Sequence, residues 1–305
     1  MKRLLLGLCC LLLAACSHKG EPMRAVYHWK TTYNPTQYEL DWMRSHRVQR
    51  LYVRFFDVDV YDCEEGAAPI ATTRFLQPLP DDIEVVPVVY ITNEAMRTMW
   101  EWGVAKAMVA RVIKMADCNG VDLKEVQVDC DWTERTQFSY FNLCRFLRER
   151  LHKQGIRLSS TVRLHQVDST LNTLPVDDKT LMLYNTGNLR SPQTRNSILD
   201  YTDVKPYLPR LTAEVMDSMA VAWPVFGWGV AFDEGQRFQR LVPSASLATD
   251  TSSHLRVEWG NPSAIRQVQR RLPRRRDGSV TILYHLDSLN LSRYSYEEIE
   301  EIYSR

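Results

Sequence analysis

Apolar positions along the chain form eight short runs with the Val, Ile, Leu, Tyr and Phe content that is typical of β-strands. The runs lie at 25–29, 50–60, 83–92, 125–132, 157–166, 181–186, 219–226 and 280–286. The pattern therefore predicts eight strands.

Helical periodicity separates several of these runs. One helix is predicted to begin after the N-cap Asn93 and to end at Asn119-Gly120, with its apolar set at Met96, Met99, Trp100, Ala107, Met108, Val112 and Met115. A second helix is predicted from about Thr136 to Gly155, with one apolar face formed by Phe138, Phe141, Cys144, Leu147 and Leu151. Strand-helix alternation requires parallel strands with right-handed crossovers, so the fold class is α/β, a (β/α)8 TIM-type barrel spanning 25–305 as one domain. Residues 233–259 lack a clear period and are predicted to form an excursion over the barrel mouth.

The fourth predicted run, "EVQVDCDWT", places two acids on one face of a strand. Because side chains alternate between the two faces of a strand, Gln127, Asp129 and Asp131 point one way and the apolar residues between them point the other way. The apolar residues must face the helices, which predicts that both acids point into the barrel. Two carboxylates this close favour protonation of one of them, as general acid catalysis requires.

Polar and aromatic residues also mark the ends of the other predicted strands. In this fold active sites form at the carboxyl ends of the strands, so we expect these residues to line one pocket. The candidates are Trp29, Arg54, Tyr90, Gln127, Asp129, Asp131, Arg163, His165, Tyr184, Asn185, Trp223, Trp228 and His285. Carboxylates, amides and Arg bind hydroxyls, while flat aromatic rings bind apolar sugar faces, so the expected ligand is a glycan.

Two short motifs resemble those of the family-18 chitinase-like glycoside hydrolases. The alternating acids of the fourth strand resemble that family's signature, and Met182-Leu183-Tyr184-Asn185 resembles its Met-x-Tyr-Asp motif. The resemblance implies a substrate-assisted retaining mechanism in which Tyr184 supports the acetamido group of the substrate. "VQVDCDWT" and "LSSTVRLHQ" look closer still to a bacterial barrel family of unknown function.

The chain departs from the family-18 pattern at several positions. If Asp129 and Asp131 match the family's two aspartates, its catalytic Glu falls on Thr133; if Asp131 holds the acid position, Gln127 replaces the outer aspartate. Asn185 also replaces an Asp, and the third strand lacks the usual Ser-x-Gly-Gly.

The N-terminus resembles a bacterial lipoprotein signal. Lys2 and Arg3 precede an apolar run at 4–13, and Ala14-Ala15-Cys16 follows. The resemblance implies a signal peptide at 1–15, palmitate and related lipid on Cys16, a tether at 16–24, and a place in the cell envelope with Ser17 indicating the outer membrane.

The remaining composition narrows the class of protein. A net charge of +1 argues against nucleic acid as a partner. No zinc-type spacing involves Cys63, Cys118, Cys130 or Cys144, and Cys130 and Cys144 fall on apolar positions that favour buried free thiols. We expect no cofactor and no metal. A metal-dependent hydrolase is a less favoured alternative, in which the metal ligands would come from His28, Asp129, Asp131, His165 and His285.

The sequence thus predicts a lipid-anchored envelope protein that acts on a glycan. As a glycoside hydrolase it would use Asp131 as the general acid, Asp129 as its partner and Tyr184 as transition-state support. A glycan-binding surface lipoprotein without catalysis is the alternative from a different class, and an envelope scaffold without a ligand is a third. The basic run at 270–276, before the eighth strand, is predicted to be a solvated turn or a site for lipid phosphates or acidic glycans.

Overall fold

Eight parallel strands close into a barrel in the computed structural model, which describes residues 22–305 except 63–65, 99–100, 169 and 253. The barrel strands are β1 (Met23–His28), β3 (Arg50–Asp62), β6 (Glu84–Ile91), β7 (Glu125–Asp129), β8 (Arg157–Arg163), β9 (Asp178–Met182), β10 (Met219–Pro224) and β14 (Val280–Tyr284). They pair in the order β1-β14-β10-β9-β8-β7-β6-β3, and β1 also pairs with β3, which closes the sheet. The predicted (β/α)8 fold is confirmed, and every predicted run overlaps one barrel strand.

The other strands belong to additions to the barrel. β2 (Thr32–Tyr33) pairs with β5 (Arg74–Phe75), and β4 (Gly66–Ile70) runs antiparallel to the far end of β3. After β10 the chain forms a three-stranded antiparallel sheet of β11 (Gly227–Phe232), β12 (Phe238–Pro243) and β13 (His254–Trp259). The predicted excursion is therefore an ordered sheet, and it begins at Gly227 rather than at 233.

Helices cover most of the barrel's outer face. They are α1 (Gln37–Ser45), α2 (Ala95–Thr98), α3 (Glu101–Cys118), α4 (Gln137–His152), α5 (Tyr201–Val204), α6 (Ala213–Asp217), α7 (Pro262–Gln269), α8 (Ser288–Leu291) and α9 (Tyr296–Tyr303). Among their described residues, the crossovers from β3 to β6 and from β8 to β9 hold no α-helix. The second crossover has the 3-10 turns Leu164–Gln166 and Leu171–Thr173. The strand-helix alternation is thus less regular than the sequence pattern predicts.

The two helices predicted in detail form close to the expected positions. α2 and α3 occupy the first predicted range, with residues 99–100 outside the described residues, and α4 occupies the second. Phe138 is an exception, since it is 78% exposed although its spacing places it with the apolar face of α4. It lies in the first turn of α4, and an exposed apolar residue at such a position is common in folded proteins.

Polar caps fix where several helices begin. Thr36 and Glu39 form a capping box at the start of α1, and the Asn261 side chain accepts from two backbone N–H groups at the start of α7. Ser295 and Glu298 form a second capping box ahead of α9. α9 packs on the first strand, because the Tyr303 hydroxyl donates to the carbonyl oxygen of Ala25 at 2.9 Å.

The barrel interior carries a column of polar side chains along β7. From the bottom of the barrel upward these are Glu125, Gln127 and Asp129, all buried, while Val126 and Val128 alternate with them and pack in the apolar core. Glu125 meets the Arg50 guanidinium at 3.4 Å. The inward orientation of the acids follows from strand parity, as the sequence predicts.

The described chain enters the barrel directly at β1. Met23 and Arg24 already lie in that strand, so the barrel begins inside the range predicted as tether. The predicted signal peptide at 1–15 and the predicted lipid site Cys16 lie outside the described residues. No helix in the described part of the chain has the length and apolar character needed to cross a membrane.

Candidate functional site

A cavity of about 480 Å³ opens at the carboxyl ends of the barrel strands, and we refer to it as the mouth cavity. Its wall includes residues of β6, β7, β8 and β14, residues that directly follow β1 and β9, and part of the sheet inserted after β10. The lining residues are Trp29, Tyr90, Asp129, Asp131, Arg163, Tyr184, Asn185, Phe226, Gly227, Trp228, Leu241, Val242, Pro243, Ser244, Tyr284, His285 and Asn290. Most of the predicted site residues are therefore brought together in one place.

Asp129 lies at the floor of the mouth cavity. It is 4% exposed, and its Oδ1 accepts a hydrogen bond of 2.5 Å from the Thr161 hydroxyl. Burial raises the pKa of Asp129 from its ordinary value of 3.8 to about 6; the Arg163 charge opposes this rise and the Asp131 charge adds to it. A substantial fraction of Asp129 is therefore protonated in mildly acidic solution.

Asp131 lies nearer to solvent and forms an ion pair. Its Oδ1 accepts from Nε of Arg163 at 2.6 Å, and its side chain is 47% exposed. Arg163 also lies over the ring of Tyr184 at 5.1 Å, and its Nη1 is buried without a hydrogen-bond partner among the described residues. Asp131, just beyond β7, is therefore half-exposed and paired with a guanidinium, whereas Asp129 at the end of β7 is buried.

Aromatic rings form the opposite wall. Trp29 meets Tyr90 edge to face at 6.3 Å and Tyr284 at 5.8 Å, and Tyr284 packs on Tyr184 at 4.8 Å. Arg54 does not line the cavity; it lies over Trp29 at 5.6 Å and forms an ion pair with Asp57. Arg54 therefore packs against the Trp29 ring and helps to hold it in place.

Trp228 reaches the mouth cavity from β11 and is held by a buried carboxylate that the sequence does not single out. Its indole N–H donates to Oε2 of Glu258 at 2.9 Å, and Ser197 donates to the same oxygen at 2.5 Å. Nε of Arg256 donates to Oε1 of Glu258 at 2.6 Å. Because Glu258 lies on β13 of the inserted sheet, only the folded sheet reveals this partnership.

A smaller cavity of about 230 Å³, the side cavity, adjoins the mouth cavity beyond Asp131. The two cavities share Asp131, Arg163, Tyr184 and Asn185, whereas His165 lines only the side cavity. Asn185 has a φ of 55°, a left-handed conformation that Asn tolerates better than most residues.

Two histidines lie at the junction of β1 and β14. Burial lowers the pKa of His285 to about 4 and that of His28 to about 3, so both imidazoles are neutral at neutral pH. His285 lines the mouth cavity, and the buried Nδ1 atoms of both rings lack partners within the described residues. Asn290, also in the cavity wall, has a buried Oδ1 without a partner there.

Besides Arg54 and His165, two predicted binding residues lie away from the mouth cavity. Gln127 is fully buried below it, accepts from the Tyr27 hydroxyl at 2.5 Å, and has Nε2 within 3.3 Å of the Ser159 hydroxyl. Trp223 is 1% exposed and lines a different cavity with Gln269 of α7. Its place in β10 directs its side chain to the helix layer, so strand parity rather than position at a strand end decides where it lies.

The described residues contain no group of three or more His, Cys, Asp or Glu side chains placed to hold a metal ion. Cys130 and Cys144 are buried free thiols, as predicted, and Cys118 is free and exposed; Cys63 lies outside the described residues.

No protein-family model and no curated protein matches the chain. Among solved structures it is similar to the family-18 chitinase ChiB of Flavobacterium johnsoniae, with a TM-score of 0.58 and 12% identity over 93% of this chain and 94% of that one. A family-18 N-acetylglucosaminidase from Paenibacillus barengoltzii gives a TM-score of 0.56 and 13% identity over 92% and 99%. The spore cortex-lytic enzyme SleL of Bacillus cereus gives 0.56 and 13% over 93% and 74%. At this identity the likeness shows the fold alone: the chain has the closed barrel of family-18 glycoside hydrolases.

Proposed function

We propose that this protein binds a glycan in the mouth cavity and hydrolyses a glycosidic bond with Asp129 at the end of β7 and Asp131 just beyond it. The observation that carries the proposal is the coexistence, in one cavity, of an acid with a raised pKa, a second acid paired with Arg163, and a wall of aromatic rings. Sugars need hydroxyl ligands and flat apolar surfaces together. The neighbours in fold include a chitinase and an N-acetylglucosaminidase, so oligosaccharides of N-acetylglucosamine are the first substrates to test.

The two acids are suited to different roles, and the assignment differs from the one that the sequence favours. Asp129 is buried and binds its proton up to a pH of about 6, which fits a general acid that protonates the leaving oxygen. Asp131 accepts from the Arg163 guanidinium at 2.6 Å, which fixes this carboxyl group at the cavity wall, where it can stabilise positive charge on the sugar ring. In this proposal Asp129 is therefore the acid and Asp131 its charged partner.

Tyr184 is assigned the supporting role that the family-18 resemblance implies. Burial raises the pKa of Tyr184 far above its ordinary value, so its hydroxyl remains a hydrogen-bond donor at any working pH. Its ring is fixed between Tyr284 and the Arg163 guanidinium. Such a fixed donor is suited to hold the acetamido oxygen of a substrate.

A second function, a glycan receptor without catalysis, is favoured by two specific observations. Thr133 occupies the position that one alignment gives to the family's catalytic Glu, and a Thr hydroxyl is too weak an acid to protonate a leaving group. Asp129, which the hydrolase proposal uses as the general acid, is only 4% exposed to solvent. In a receptor both carboxylates would act as acceptors for sugar hydroxyls.

The proposal includes a place in the cell envelope, with the barrel tethered by lipid on Cys16. It is supported by the signal-like sequence at 1–16 alone. Metabolic labelling with a palmitate analogue tests it: label should appear on the wild-type chain and be absent from Cys16→Ser, and equal labelling would overturn it.

One paired assay separates hydrolase from receptor. The wild type, Asp129→Asn, Asp131→Asn and the control Trp223→Phe are offered chitin oligosaccharides and a wider glycan panel, and both binding and new reducing ends are measured. If the protein is a hydrolase, the wild type and Trp223→Phe should release reducing ends, whereas Asp129→Asn should bind the glycan without releasing them. Binding without release in every protein would establish the receptor instead, and the absence of binding would refute both.

A further inference from the structure

A second cavity of about 460 Å³, which we call the basal cavity, reaches the opposite end of the barrel. Pro22 and Ser279, which immediately precede β1 and β14, lie in its wall. The wall also contains Trp223, Gln269, Leu272, Pro273, Arg274, Arg275, Arg276, Asp277, Ser304 and Arg305. It is therefore a separate feature from the mouth cavity, with which it shares no residue.

The positive charge of the basal cavity comes from the consecutive Arg274, Arg275 and Arg276 and from Arg305. Arg275 donates to the main-chain oxygens of Val280 and Arg305 at 2.7 and 2.8 Å, and to the Thr281 hydroxyl. Within the described residues no Asp or Glu side chain forms an ion pair with Arg274, Arg275 or Arg276. Burial lowers the pKa of Arg275 to about 10, which reflects a guanidinium held without a compensating side-chain anion.

Two buried polar atoms in the same wall also lack partners in the described part of the chain. They are the indole N–H of Trp223, which is 1% exposed, and Oε1 of Gln269, which is 6% exposed. Buried polar groups are nearly always hydrogen-bonded, so an unused donor and an unused acceptor beside a cationic cluster indicate a site for a polar ligand. The acids nearby are Asp277, exposed in the wall, and Asp217, which lines a neighbouring cavity with Arg276.

The basal cavity is also close along the chain to the proposed lipid anchor. Pro22 in its wall follows Cys16 by a short stretch of sequence, and an extended chain advances at most about 3.3–3.6 Å per residue. Lipid on Cys16 would therefore tether Pro22 within roughly 20 Å of the membrane, a distance at which the basal cavity can reach the phosphate layer. The mouth cavity opens at the other end of the barrel.

We infer that the basal cavity binds the phosphate of a phospholipid headgroup and orients the barrel with its mouth away from the membrane. This inference rests on the lipid-anchored part of the proposed function and is independent of whether the mouth cavity cleaves glycans. Guanidinium groups pair with phosphate oxygens in bidentate geometry, and the Trp223 N–H supplies a further donor. Anionic lipid adds to the attraction through the surface potential of the membrane.

Phosphate binding is tested first with inorganic phosphate on the full chain in detergent micelles. The thermal midpoint is measured at constant ionic strength for the wild type, for Arg274→Gln/Arg276→Gln, and for the charge-matched control Arg145→Gln/Arg237→Gln. A tenfold excess of phosphate over Kd should raise the midpoint by about 3 °C in the wild type and the control, but not in the first variant. The absence of a rise in the wild type, or an equal rise in all three proteins, would overturn the inference.

The membrane as the source of the phosphate is tested by limited trypsin digestion. The lipidated chain is placed in vesicles of phosphatidylcholine, with or without phosphatidylglycerol, and cleavage within 274–276 is compared with cleavage after Arg237. Arg237 is 84% exposed and lies beyond β11, on the inserted sheet at the mouth. Anionic vesicles should slow cleavage in the arginine run several-fold and leave Arg237 unaffected. A phosphate-dependent midpoint without this protection would assign the site to soluble phosphate and overturn the membrane occupant. Both the phosphate-dependent thermal midpoint and the trypsin protection are expected even if the protein cleaves no glycan. A failure of the hydrolase proposal is therefore distinguishable from a failure of this inference.

Discussion

Replacing Asp129 by Asn should stabilise the protein at neutral and alkaline pH. The side chain is buried, and its hydrogen bond comes from the Thr161 hydroxyl, which an Asn carbonyl oxygen can also accept. The substitution therefore keeps the shape and the hydrogen bond, and it removes only the negative charge that the folded protein must accommodate at high pH.

The size of the effect follows from the pKa of Asp129. Its ordinary value is 3.8 and the folded value is about 6, so the folded state binds the proton more tightly than the unfolded state does. The stabilisation from this protonation is fully present below pH 3.8 and is lost as the pH rises through about 6. A shift of about 2 pKa units corresponds to about 3 kcal/mol, which is the largest gain expected for Asp129→Asn above pH 7.

Urea unfolding at pH 4, 5, 6, 7 and 8 measures the difference directly. The free energy of unfolding of Asp129→Asn should exceed that of the wild type by an amount that grows between pH 4 and 7 and then stays constant. Asp177→Asn is the matched control with the opposite sign. Hydrogen bonds from the Leu158 N–H, His152 and Arg148 lower the pKa of Asp177 below its ordinary value of 3.8, so its stabilising contribution is present above that value and is lost only in more acidic solution. Asp177→Asn should therefore be less stable than the wild type by a nearly constant amount from pH 5 to pH 8. A pH-independent difference for Asp129→Asn, or a loss of stability at pH 8, would refute the burial argument and with it the assignment of Asp129 as the acid.

Three further outcomes are expected. Gln127→Leu should lower the free energy of unfolding, measured with urea, by about 3 kcal/mol, because the buried hydroxyls of Tyr27 and Ser159 lose their partner. An unchanged free energy of unfolding would contradict the importance of these hydrogen bonds. Glu258→Gln should weaken glycan binding about 5-fold and shift tryptophan fluorescence with kcat unchanged, because Trp228 loses its charged acceptor; unchanged affinity would exclude this positioning role. Trp29→Ala should weaken glycan binding about tenfold in calorimetry while Trp223→Phe leaves it unchanged, and equal losses would contradict the placement of the two rings.

Local composition was sufficient to predict the barrel strands and the orientation of the acids. Parity along β7 sends Asp129 inward because Val126 and Val128 must pack in the apolar core, and that requirement is independent of the rest of the chain. The same alternation turns Trp223 to the face of β10 opposite to that of its neighbours Ala222 and Pro224. Its position at a strand end therefore predicted a mouth residue, whereas the ring lies under α7.

The sequence by itself determined the fold class, the inward face of β7 and the capped starts of several helices, because these depend on alternation and on interactions between residues close in the chain. The tertiary structure alone decided which carboxyl is buried and which is paired, because Arg163 and Thr161 lie on a different strand from the acids that they contact. Only the tertiary structure shows that Glu258 accepts a hydrogen bond from Trp228 and that Arg274, Arg275 and Arg276 line the basal cavity. Such contacts join residues distant in the chain, and their distances exist only once the barrel has closed.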